Sequence, residues 1–173
     1  MPIPTSDHIS VLGTQWAGEE WTELKGFWRP HEVCHTIRFL DWTVDGSPLR
    51  NLIRFVDGSV PSEPSFLDTQ FRSGPQPGAS LRALLGKGDP TAEDPICFSD
   101  GRVALLRCWC GDIFDRSVSA DIRFTDSLVR WNEIALQDEP NVWTGPDGVE
   151  PFSLTFARDQ YESTVNALLH DWN

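Results

Sequence analysis

The hydrophobic positions of the chain change period several times, and each change predicts an element. Val118, Ala120, Ile122 and Phe124 alternate with Ser119, Asp121, Arg123 and Thr125, the period of a strand with one wet face. The T-D-S link at 125–127 returns the chain through Val129 and Trp131, so the pair reads as a hairpin. Phe152, Leu154 and Phe156 alternate again as a last strand. Beyond them the period becomes helical: Tyr161, Val165, Leu168, Leu169 and Trp172 share one face, and Asp159 followed by Glu162 resembles a capping box.

Upstream the signal is weaker. The stretch to Pro30 carries Trp16, Trp21 and Trp28 but keeps no single period, and Gly13, Gly18 and Gly26 interrupt it. It is expected to be irregular, with short strands. From Thr36 the run T-I-R-F-L-D-W-T-V reads as a strand ending in Asp45-Gly46, a dipeptide whose tolerance of positive φ suits a tight turn. Ser47 and Pro48 then open a short helix or continue a hairpin. Residues 57–102 hold six prolines and six glycines, which leaves room for one short helix at about 80–85. V-A-L-L-R-C-W-C-G is read as a strand ending at Gly111. Strands outnumber helices, so the expected fold is α+β: a mostly antiparallel sheet built from hairpins, with the C-terminal amphipathic helix packed on it. The 173 residues fit a single domain, 1–173, with a Pro/Gly-rich loop region at about 57–102.

Composition changes this picture little. The chain is 39% hydrophobic, 11% aromatic and 23% charged, with eight tryptophans and ten phenylalanines against one tyrosine and one methionine. Large rigid rings therefore dominate the packing. The net charge of −12 repels phosphate backbones and anionic lipid surfaces, so no nucleic acid and no membrane is expected as a partner. M-P-I-P-T-S-D-H has the form of no signal peptide, and no apolar run approaches a membrane span, so a cytoplasmic location is expected. In that reducing compartment Cys34, Cys97, Cys108 and Cys110 are free thiols or metal ligands.

H-E-V-C-H at residues 31–35 invites a zinc-protease reading, which needs His31 and His35 on a helix with Glu32 beside them. Pro30 before it and the β-rich run after it argue instead for the lead-in to a strand, where residues four apart lie about 13 Å apart. Cys108 and Cys110 could join the histidines as zinc ligands; equally, C-x-C in a strand points both sulfurs to one face as small core residues. No cofactor and no stoichiometric zinc are expected. The chain has no G-x-S-x-G elbow, no P-loop and no dinucleotide fingerprint.

Four motifs occur in order: Val44-Asp45-Gly46-Ser47-Pro48-Leu49, Cys108-Trp109-Cys110-Gly111, Val129-Arg130-Trp131, and Phe156-Ala157-Arg158-Asp159-Gln160-Tyr161-Glu162. Through them the chain resembles a family of small, uncharacterised bacterial proteins with V-D-G-x-x-L, C-x-C-G, V-x-W and F-x-R-x-Q-Y-E. Members often continue past C-x-C-G with a third cysteine, where this chain has Asp112-Ile113-Phe114. The resemblance implies a topology and no mechanism.

Between Arg130 and Arg158 lie Glu133, Asp138, Glu139, Asp147 and Glu150 with no lysine or arginine, and Trp143 stands among them. An aromatic ringed by acids suits a basic partner, the ring supplying buried area and the carboxylates steering approach; the same Trp143 could instead anchor its own loop. The leading expectation is a non-enzymatic, cytosolic protein-binding module, with an immunity or antitoxin role as one version. The competing one is a metal-dependent hydrolase or structural zinc protein using His31, His35, Cys108 and Cys110. A ligand-binding module with an aromatic pocket is a third.

Overall fold

The computed structural model describes residues 8–55, 58, 60, 61, 63, 65, 67, 77–88, 96–108, 112–114, 116–138, 141–143 and 149–172, with the backbone alone for Trp21, Glu23, Ile37, Asn141 and Trp143. It is an α+β protein, with two sheets and two α-helices among the described residues. The first strands are β1 (Ile9–Ser10), β2 (Leu12–Lys25), β3 (His31–Val44) and β4 (Ser47–Pro48). A 3-10 turn at Leu49–Asn51 and helix α1 (Pro77–Leu84) follow. Then come β5 (Val103–Leu106), β6 (Ser117–Phe124), β7 (Leu128–Asp138), β8 (Asn141–Trp143), β9 (Phe152–Ala157) and helix α2 (Arg158–Asp171).

The larger sheet runs β1-β9-β7-β6-β5, antiparallel except for β1 beside β9, with β8 paired to the far end of β7. The expected hairpin holds: β6 and β7 join through Thr125, whose N–H donates to Leu128 O at 2.9 Å. The wet face expected for β6 holds in part: Arg123 and Thr125 are exposed and Asp121 is half-buried, while Ser119 is buried. Val118 and Ala120 lie in the core, Ser117 Oγ donates to the Ile113 carbonyl at 2.7 Å, and Ser119 is covered by Arg102. Its Nε donates to Ser119 Oγ at 2.9 Å and to Gln137 Oε1 at 3.2 Å. Each buried polar atom there has a partner, which removes the cost of burying it.

Helix α2 packs on this sheet as its period predicts. Tyr161 and Val165 are buried, while Leu168, Leu169 and Trp172 lie half-buried at its end. Tyr161 packs edge-on against Trp131 and Phe124, and its hydroxyl links two layers, accepting from Trp131 Nε1 at 3.1 Å and donating to Leu84 O at 2.9 Å. The expected capping box is absent. The helix begins after Ala157 with no side-chain cap, and Glu162 accepts from Arg158 Nε at 2.7 Å.

The smaller sheet, β2-β3-β4, corrects the sequence reading most. The segment expected to be irregular is one long strand, paired with β3 in unbroken register from Leu12↔Val44 to Lys25↔His31. Asp45 and Gly46 form the expected turn with φ of 52° and 78°, the left-handed pair a two-residue hairpin connection requires. Ser47 and Pro48 continue the hairpin before the 3-10 turn. The expected strand to Gly111 ends at Leu106, so Cys108 lies past it, and Trp109 to Gly111 fall outside the described residues. The helix expected at about 80–85 is α1.

One buried cluster draws on both sheets, with Leu12, Leu40, Trp42 and Val44 of the hairpin meeting Trp131, Leu154 and Phe156. Trp42 meets Trp131 edge to face at 6.5 Å.

Candidate interaction surface

Opposed residues of an antiparallel pair share a face, so the register divides the β2–β3 hairpin into two sides. One side begins with Leu12, Val44, Trp42 and Leu40, all in the core. Further out it carries Trp16, 53% exposed, with the Arg38 guanidinium 5.1 Å above its ring. The other side begins with buried Asp41 and Phe39 and reaches Glu19. Arg50 braces this second side: Nε donates to Asp41 Oδ2 and Nη1 to Glu19 Oε1, both at 2.8 Å, over the Phe39 ring. Burial outweighs the attraction of Arg50 and pushes the Asp41 carboxyl above the usual carboxylate range.

Beyond Glu19 the hairpin is an arm. From Glu20 to the turn and back to Thr36, every residue with a described side chain is exposed or half-buried. At the tip Leu24 is 70% exposed, Phe27 92% and Trp28 90%, and the last two rings meet edge to face at 5.7 Å. The turn from Leu24 to His31 carries Lys25 and Arg29 and no acid, within a chain of net charge −12. An isolated two-stranded ribbon is marginal in water, and clustered exposed rings mark interaction surfaces. This tip was missed in the sequence because its residues follow no period; the signal that could have found it is the density of Trp, Phe and Leu around a Gly turn.

The residues expected to bind a partner lie elsewhere. Glu133 sits at a bulge in β7 with φ 50°; its N–H donates to Ser153 Oγ at 3.1 Å, its carbonyl accepts from Arg102, and its carboxylate is 77% exposed. Asp138 is exposed at the end of β7, paired with Asn141, and Glu150 is exposed before β9. Trp143 pairs through its backbone with Leu136. Glu139 and Asp147 lie outside the described residues. The stretch is thus partly strand, β7 and β8, rather than one acidic loop.

The candidate metal ligands are dispersed over the fold. His31 and His35 share one side of β3, about 13 Å apart at strand rise, and Cys34 is on the other side. Cys108 follows β5 of the larger sheet, and Cys110 is outside the described residues. Among the described residues no three His, Cys, Asp or Glu side chains group as metal ligands. No helix there is long and apolar enough to cross a membrane.

The first and last of the motifs behind the family resemblance occupy structural places, and Trp109 to Gly111 of the C-x-C-G motif lie outside the described residues. Asp45 accepts from the Val11 N–H at 2.8 Å, and Leu49 is fully buried. Arg158 Nη1 donates to Thr125 O at 2.8 Å, while Gln160 and Tyr161 hold β2 and the aromatic cluster. No family model, no curated protein and no solved structure matches the chain.

Proposed function

We propose that the protein is a non-enzymatic, cytoplasmic binding module that holds a protein partner through the tip of the β2–β3 arm, with Phe27 and Trp28 as anchors. The observation that carries this reading is the near-complete exposure of both rings at the end of a ribbon whose root is firmly braced. Aromatic side chains have few rotatable bonds to immobilise and bury large area. The acidic body attracts a basic face of the partner, with Glu133, Asp138, Glu139, Asp147 and Glu150 as the proposed steering groups and Trp143 among them, while the tip, which carries Lys25 and Arg29, meets an apolar part of it that is not basic. An immunity or antitoxin protein held against a basic toxin is one version of this role.

The test is capture from the native host with immobilised wild-type protein and with a Phe27→Ser/Trp28→Ser variant. The reading expects a specific protein retained by the wild type and lost, by at least tenfold, from the variant. Equal retention by both would move the binding face off the arm. Replacing Asp138 and Glu150 by Asn and Gln should slow association and weaken its salt dependence, leaving dissociation nearly unchanged.

A further inference from the structure

The arm has two long edges, and the sequence treats them differently. We propose that the outer edge of β3, from Glu32 to Arg38, pairs antiparallel with the same edge of a second copy, in a two-fold register centred on His35. This goes beyond partner capture at the tip, since it uses another surface of the arm.

The backbone sets which groups are available. Leu40 N–H donates to Leu67 O at 2.8 Å and Leu40 C=O accepts from Ser65 Oγ at 2.6 Å, so the main-chain groups of Leu40 point away from β2. Alternation along a strand then turns those of Arg38, Thr36, Cys34 and Glu32 outward as well. Among the described residues no strand pairs with this edge between Glu32 and Arg38, since β4 covers only Thr43 and Val44. Outward groups must meet outward groups, so in the longest overlaps Glu32 can face Thr36, Arg38 or Leu40 of the second copy. Leu40 is already engaged by Leu67 and Ser65. Setting Glu32 against Thr36 brings Pro30, which has no N–H to give, opposite Arg38.

The remaining register sets Glu32 against Arg38 and Cys34 against Thr36, and two-fold symmetry repeats each pair. Opposed residues share a face, so each Glu32 carboxylate meets the guanidinium of the other copy's Arg38, already held above Trp16. Positions 33 and 37, valine and isoleucine, also come opposite one another. The ladder ends where the Gly26–Pro30 turn carries each chain back toward its own β2, next to the point where Leu67 closes the edge. Two marginal ribbons become one sheet in the order β2-β3-β3-β2.

The β2 edge is less suited to this: even the register that sets Glu19 against Lys25 brings the two Glu23 positions side by side. Glu19, Glu20 and Glu23 lie along it, and symmetric overlaps through this stretch bring acids opposite or beside acids. Charge on an edge is a usual guard against pairing, so β2 is guarded and β3 is self-complementary.

Sedimentation equilibrium of the full chain tests this, with Glu32→Arg and Arg38→Glu made separately. Both positions are exposed, and circular dichroism checks that each variant folds. The wild type is expected to reach twice the 19.5 kDa chain mass, and each single variant to dimerise at least tenfold more weakly. An equimolar mixture of the two variants should recover the dimer, because every opposed pair is again of opposite sign. A wild type that stays monomeric, single variants that dimerise as well as the wild type, or a mixture that stays monomeric would each overturn the proposal. Register is read with Thr36→Cys, which should give an oxidised dimer linked through Cys34; a dimer that forms without that link would overturn the His35-centred pairing.

Discussion

The side-chain amide of Gln160 pairs with the backbone of Leu12 as a neighbouring strand would: its Oε1 accepts the Leu12 N–H at 3.1 Å and its Nε2 donates to the Leu12 carbonyl at 2.7 Å. Helix α2 thereby closes the edge of β2 at the root of the arm. Gln160→Ala should cost about 1 to 3 kcal/mol, the penalty for leaving partly buried backbone groups without partners. Urea unfolding measures it. A loss below about half a kcal/mol, as for an ordinary surface change, would mean that water replaces the amide.

Asp41 and Asp45 lie close along the chain, and the fold moves their acidities in opposite directions. Burial, only partly offset by Arg50, raises Asp41 above its ordinary 3.8. At Asp45 slight burial is outweighed by the Val11 amide and His8, which hold the carboxyl below 3.8. A lowered carboxyl stabilises the fold above its unfolded pKa and loses that contribution as pH falls through the folded value. A raised one contributes below its unfolded pKa and loses the contribution as pH rises through the folded value. Asp45→Asn should therefore flatten the acid limb of the stability curve below about pH 4, and Asp41→Asn the decline above it. Unfolding free energies across the acid range check both signs; curves parallel to the wild type would refute them.

Tyr161→Phe removes one oxygen and leaves the Trp131 indole N–H and the Leu84 carbonyl without it. The expected cost is about 1 to 3 kcal/mol with the fold retained. Trp131 fluorescence should change as well, since its nitrogen loses its partner. A stability within about half a kcal/mol of wild type would show that the layers hold without this link.

Glu133 holds a left-handed backbone that costs a residue with a side chain about 1 to 2 kcal/mol. Glu133→Gly should keep stability or gain up to about 1 kcal/mol, whereas Glu133→Val should lose about as much or more. Thermal melts of both variants decide it. The reverse order would mean that the carboxylate, 3.9 Å from Arg102, matters more than the bulge.

The sequence by itself determined those elements whose pattern is generated locally. The Asp45-Gly46 turn, the 118–131 hairpin and helix α2 were legible because turn chemistry and a buried face leave a period in neighbouring residues. The net charge needed no fold at all. Tertiary structure decided the rest. Strand β2 left no alternation because its outer half has no core on either side to select apolar residues, and it exists through pairing with β3, at residues far along the chain. Ser119 looked like part of a wet face, yet Arg102 arrives from another strand's approach to bury it. The candidate site followed the same division. Phe27 and Trp28 are ordinary core residues in a list of letters, and only the length of the arm beyond the Arg50 brace leaves them in water. Likewise Glu32 and Arg38 become a complementary pair only when Leu40 reveals which backbone groups of β3 face outward, because edge direction belongs to the sheet and not to any one residue.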